Sequence, residues 1–199
     1  MDIKTSRIIE RITAASMGKC MAKLSRISAG KWSVAGVGVS HCTMAAALDV
    51  QSAQEGTGAA VYFEVRGEFP FASMVMFRPQ DIEILSRGFL GFSFSKLPVL
   101  NQAQELLLSE LGNIILNAFT SALSNVLGRG FLPDAPKCVQ GEPRYLLEAL
   151  WTTLDPEQLH SVATVTLDLS CDNQATRSEV IAVIPESLER ALAAAERPQ

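Results

Sequence analysis

Apolar residues at Ile8, Ile9, Ile12, Ala15, Ala22 and Leu24 recur at close to helical spacing near the start of the chain. That spacing predicts a helix over residues 2–28, with Gly30 as a plausible stop. The stretch SVAGVGVS follows Trp32 and is β-branched and glycine-containing; AAALDV after it reads as helical up to Val50. Residues 59–66 (AAVYFEVR) and 72–77 (ASMVMF) read as the two strands of a hairpin. Pro79 then opens a short helix, QDIEILSRGF. A long helix is expected over 101–127, ending at Gly128. Strands are expected at 163–169 (ATVTLDL) and 179–184 (EVIAVI), then a terminal helix ESLERALAAA opened by Pro185. The last residues, ERPQ, are expected to fray.

This order occurs twice. Glu10 and Glu110 lie 100 positions apart, as do Ala22 and Ala122; Pro79 and Pro185 lie 106 apart, inside the matching units MVMFRPQDIEIL and VIAVIPESLERAL. The repeat rests on element order and punctuation, because identity between the halves is low. No linker-like stretch divides them, so one domain over 1–199 is expected, built from repeats of about 1–99 and 100–199 that cover each other's apolar surface.

The composition is globular: 199 residues, 48% hydrophobic and 19% charged. A formal net charge of −4 argues against a nucleic-acid partner, which recruits basic surfaces. Cys20, Cys42, Cys138 and Cys171 lie far apart without a C-x-x-C pair, and read as buried free thiols in a reducing compartment. A zinc site from His41, Cys42 and distant partners has no motif behind it. The opening MDIKTSRIIERI places charges where a signal peptide needs its apolar run, and no uninterrupted apolar run reaches the roughly 20 residues of a membrane span. A cytoplasmic protein without membrane insertion is expected. There is no G-x-S-x-G and no phosphate-cradling glycine loop, and GVGVSH (36–41) is too short for a dinucleotide fingerprint.

The 101–127 helix carries the candidate chemistry. Leu107, Leu111, Ile114, Ile115, Ala118, Ala122 and Val126 form an apolar stripe, and Glu110, Asn113, Asn117, Thr120 and Ser124 a polar one. Glu110 and Asn113, three apart, are neighbours on the helix surface. Gly112 beside them costs about 1 kcal/mol relative to alanine in an exposed helix, which calls for close approach of a partner or second helix. Taken alone, this face is either a solvated surface or a helix–helix contact with internally satisfied amides.

The stretch SELGNIILNAFTSALSNVLGRGFLPDAP (109–136) resembles the CheC/CheX/FliY family of chemotaxis phosphatases. That family carries E-x-x-N on a helix, a proline after 22 further residues, and often Asp or Ser four positions before the Glu. Glu110, Asn113 and Pro136 match, with 22 residues from Ile114 to Ala135. SRIIERITAASMGKCMAKLS resembles the first copy, with Ser6 and Glu10 in place. Thr13 stands where that copy has Asn, Gly36 where it has Pro, and Leu106 where the second copy has Asp or Ser. Asn117 stands where many relatives have a small residue and is assigned no role.

The resemblance implies an α+β, CheC-like fold with pseudo-two-fold repeat: one central antiparallel sheet of about six strands, two long helices packed on one face, polar stripes outward. It implies hydrolysis of the aspartyl phosphate of a CheY-like response regulator. Asn113 would orient the attacking water, Glu110 would pair with a lysine of the regulator, and Glu10 with Thr13 would be a degenerate second centre. No cofactor of its own is implied; Mg2+ would sit on the partner. Some CheC proteins also bind the deamidase CheD, and no residue of this chain establishes that partner. The alternatives are a non-catalytic protein of the same fold, like the flagellar switch proteins, or a regulator-binding adaptor.

Overall fold

The computed structural model describes residues 3–54, 56–93 and 99–195, with the side chains of 3–5 left undescribed; the ERPQ tail (196–199) lies outside the described residues. The elements run α1 (Ile3–Ile27), β1 (Trp32–Cys42), α2 (Met44–Ser52), β2 (Gly58–Gly67), β3 (Phe71–Phe77) and α3 (Ile82–Leu90). They continue α4 (Gln102–Leu127), β4 (Phe131–Pro133), β5 (Lys137–Gly141), α5 (Pro143–Trp151), β6 (His160–Cys171), β7 (Gln174–Pro185) and α6 (Glu186–Ala195). The order helix, strand, helix, hairpin, helix therefore occurs twice, with β4 as an extra strand in the second round.

All seven strands form one sheet, ordered β1-β6-β7-β3-β2-β4, with β5 also paired to β2. Every pairing is antiparallel. At its centre β3 pairs with β7, and the register includes Met74↔Ile181 and Val75↔Val180. The offset of 106 that relates Pro79 to Pro185 carries Met74 onto Val180 and Val75 onto Ile181. The two pairs exchange, so the halves meet about a local two-fold between them.

Alternation along the central strands sorts side chains to two faces. Val61, Phe63, Val75, Phe77, Val165 and Val180 join the larger cluster, which takes in buried residues of α1, α3, α4 and α6. Met74, Met76, Ile181 and Val183 join a smaller one, covered by Met44 and Ala47 of α2 and by Leu147 and Leu150 of α5. The two long helices do share one face; α2 and α5 close the other. All of β3 is buried, which fits a strand covered on both sides.

Local signals set the boundaries. Asn101 and Gln104 make a reciprocal capping box at the start of α4, and Gly128 ends it in the left-handed region at φ 63°. The β6–β7 hairpin closes on Asp172 and Asn173, both at positive φ, between the paired Cys171 and Gln174. This tight turn makes β6 and β7 longer than the apolar cores of 163–169 and 179–184 suggest. β4, β5 and α5 lie in a stretch where the sequence pattern assigns no element.

The helical stripes need correction. On α1, Met17 and Met21 are buried with Ile8, Ile9 and Leu24, while Ala15 and Ala22 are exposed. On α4, Leu108, Leu116, Phe119 and Leu123 are buried beside Leu107, Leu111 and Ile115, and Thr120 is buried too, not on the polar face. By length and composition α4 is apolar enough to cross a membrane, and its apolar face packs on the sheet.

Gly112 lets α4 approach the sheet, not a second helix. A Cβ there would lie 2.5 Å from the Val61 Cβ on β2. Gly112→Ala should therefore destabilise by about 1–3 kcal/mol through overpacking, against a helix-propensity gain of at most about 1 kcal/mol. Urea denaturation of the two proteins measures the difference.

Candidate functional site

Helices α1 and α4 lie antiparallel. The Ser16 hydroxyl donates to the Ala118 carbonyl at 2.7 Å, and one turn on, the Cys20 thiol reaches the Ile114 carbonyl at 3.8 Å. These short α1 side chains let the two backbones come close. An open groove of about 420 Å3 runs along this contact. Asn113 and Asn117 of α4 line one side; Lys19, Cys20 and Lys23 of α1 line the other.

Glu110 is exposed on α4, one turn before Asn113. Asn113 is half-buried at the groove. The Asn117 Nδ2 donates to the Asn113 Oδ1 at 2.6 Å. That bond fixes one end of the Asn113 amide and leaves its Nδ2 hydrogens and the second Oδ1 lone pair available to a water or an oxyanion. Cys138, two residues after Pro136, interacts with the Ser109 side chain, so the loop carrying Pro136 ends close to the Glu110 turn.

The equivalent pair on α1 is not arranged this way. Glu10 is exposed, but Thr13 is wholly buried, and its hydroxyl has no hydrogen-bond partner among the described residues. A threonine methyl and hydroxyl fit beneath the helix, where a longer amide at the same position would need room and partners. Thr13 is thus a core residue, out of reach of a docked protein. Gly36, at the first-copy proline position, lies at the register shift in β1. Leu106 is 61% exposed, on the α4 surface four residues before Glu110.

Of the residues singled out in the sequence, Glu110 and Asn113 come together on one exposed turn, and Glu10 and Thr13 do not. Asn117 was visible on the polar stripe, and its i, i+4 spacing to Asn113 was the available signal for an amide pair. Lys19 and Lys23 carried no signal, because only the antiparallel packing of α1 brings them opposite Asn113.

Burial holds all four thiols above their ordinary pKa. Burial pushes Cys20 up to about 11, with Lys23 opposing the shift. Burial likewise pushes Cys138 and Cys171 up to about 11 and raises Cys42. No disulfide is present among the four, and among the described residues no group of three or more His, Cys, Asp or Glu is placed to hold a metal ion.

No family model matches the chain, and no curated protein matches it. Solved structures do. FliY of Thermotoga maritima superposes with a TM-score of 0.76 at 17% identity, over 98% of this chain and 96% of that one. FliM in the FliG–FliM complex of H. pylori gives 0.63 at 13%, over 97% and 100%. The CheX–CheY–BeF3–Mg2+ complex of Borrelia burgdorferi gives 0.54 at 13%, over 93% and 100%. The chain therefore has the fold of the CheC/CheX/FliY proteins, as the resemblance implied, with seven strands in its sheet.

Because every thiol titrates above its ordinary range, thiolate is scarce at pH 8. Cys20 should react with iodoacetamide about 100-fold more slowly than an unperturbed thiol, and faster as pH rises toward 11. Mass-spectrometric timing of Cys20 alkylation across pH checks this.

Proposed function

We propose that this chain is a phosphatase for the aspartyl phosphate of a CheY-like response regulator, with α4 as its active centre. The observation that carries the reading is the turn Glu110–Asn113. A neutral amide stands at a groove, held by Asn117, with an exposed carboxylate one turn away, on a rigid helix of a CheC-like fold. The structural likeness to a CheX bound to CheY with BeF3 and Mg2+ supports it.

The chemistry asked of such a site is modest. An acyl phosphate is already activated: the water oxygen bonds to phosphorus as the phosphorus–oxygen bond to the aspartyl carboxylate breaks. The carboxylate leaves with the electron pair, and the water's protons pass to solvent or to the phosphate formed. The Mg2+ of the regulator neutralises charge on the phosphoryl oxygens. What remains is placement of the water in line. Asn113 places it, being uncharged and able both to donate and to accept. Glu110 pairs with a lysine of the regulator and sets the register of the two proteins. Asn117 is a positioning residue that holds the Asn113 amide. Glu10 and Thr13 form no second active centre, since Thr13 is buried. The reaction belongs in the cytoplasm, where response regulators are phosphorylated.

One observation favours a second reading, a binding protein without turnover: exposed Leu106 stands where the resemblance calls for Asp or Ser. Phosphate release separates the two. Response regulators of the same genome are phosphorylated with a small-molecule donor in Mg2+ and mixed with wild type or Asn113→Ala. The expected result is release faster than autodephosphorylation, falling by on the order of 100-fold or more in Asn113→Ala, about 2.7 kcal/mol of barrier, with binding retained. Asn117→Ala should lose about 10-fold in kcat with KM unchanged, as the amide gains freedom. Wild-type turnover by Asn113→Ala removes that residue from the mechanism. Binding without any release by the wild type establishes the second reading.

A further inference from the structure

The α1 wall of the groove carries charge that the water-placing chemistry does not use. Lys19 and Lys23 stand one turn apart on α1, and both line the groove opposite Asn113 and Asn117. Among the described residues no Asp or Glu lines it, although the chain as a whole is acidic, with a net charge of −4. Six arginines of the chain, Arg66, Arg78, Arg87, Arg129, Arg144 and Arg177, each pair with a carboxylate. Neither lysine makes an ion pair among the described residues. Like charges one turn apart slightly disfavour a helix.

We infer that Lys19 and Lys23 form an anion-recognition wall, which receives the phosphoryl group and flanking carboxylates of the regulator while α4 supplies the amide. This rests on the function proposed above and adds to it how the phosphorylated partner is told from the unphosphorylated one. Phosphorylation turns an aspartyl carboxylate of charge −1 into an acyl phosphate carrying close to two negative charges at neutral pH, a net gain of about one. Lysine suits a docking surface of this kind: it is a compact point charge on a flexible stem, able to follow a phosphoryl group without fixing its orientation. Orientation is left to Asn113. The neutral Cys20 thiol between the lysines subtracts nothing from their field. Once phosphate leaves, the attraction falls and the regulator is released.

The duplicated helices thereby divide the work. With α1 and α4 antiparallel, the residues facing Asn113 are those around 19–23 and not the E-x-x-T turn at 10–13. The α1 copy serves the same groove with different residues.

The test uses the full chain and the regulator selected by the phosphate-release assay, in its beryllofluoride-activated and unactivated forms. Wild type, Lys19→Gln/Lys23→Gln and the control Lys31→Gln are compared by titration calorimetry over a range of salt, with steady-state release in parallel and thermal melting as a check on folding. The double variant should bind the activated form about 10-fold more weakly, with a flatter salt dependence and less preference over the unactivated form. Its KM should rise correspondingly while kcat and melting temperature stay near wild type, and Lys31→Gln should behave as wild type. Unchanged affinity and salt dependence overturn the inference alone, as does a loss confined to kcat. Should the double variant unfold, the single Gln variants carry the same comparison. A wild type that neither accelerates release nor prefers the activated form overturns the proposed function, and the inference with it.

Discussion

The antiparallel pairing of β3 with β7 is the contact on which the rest of the molecule depends. These strands come from opposite halves of the chain, and their pairing makes one sheet out of two hairpins. Phe77, Val75, Val180 and Ala182 face one layer of helices, and Met74, Met76, Ile181 and Val183 the other. Burial on both faces makes every residue of β3 apolar or small, including Ser73, whose hydroxyl is buried without a hydrogen-bond partner among the described residues. Neither half could cover its own central strand alone. The hydrophobic gain that stabilises the fold is shared between the halves by construction.

That sheet fixes where α1 and α4 lie, and their contact fixes the site. Gly112 brings α4 down on Val61, and Ser16 and Cys20 bring α1 against the carbonyls of Ala118 and Ile114. The groove runs along this contact. The polar residues of α4 that line it are Asn113, Asn117 and Ser121, and the two amides bond to each other. The repeated element order places two long helices at matching positions, but the packed structure treats them unequally. Position 113 looks into a groove, and position 13 looks into the core.

The low charge on the exposed turn of α4 has a physical reason. On the proposed function, a face that approaches a phosphoryl group and its metal-binding carboxylates gains nothing from further carboxylates. An amide fixed by a neighbouring amide keeps its hydrogen-bonding capacity without adding repulsion. The cations stand apart from it, on the opposite wall, where long side chains can adjust. The same fold occurs in FliM, crystallised in a complex with FliG, so the architecture does not by itself dictate chemistry; the residues of one helical turn and one groove do.

Much of this was legible in one dimension. Helical spacing marked α1 and α4, β-branched runs marked the four inner strands, and Gly128, Pro79 and Pro185 marked boundaries, because these signals are local in origin. Glu110 and Asn113 were legible as neighbours, since three-residue spacing places them on one helical surface whatever the fold. Short edge elements were not: β4 and β5 exist by pairing with β2, and α5 by covering Leu147 and Leu150 over the sheet, so their own sequences need little periodicity. The burial of Thr13 and Thr120, the choice of methionine over alanine on the buried side of α1, and the meeting of Lys19 and Lys23 with Asn113 depend on how a helix is rotated and what crosses it. The sequence determined which residues share a helix face. Only the tertiary packing decided which face is covered, because that depends on shape complementarity between segments about 100 residues apart.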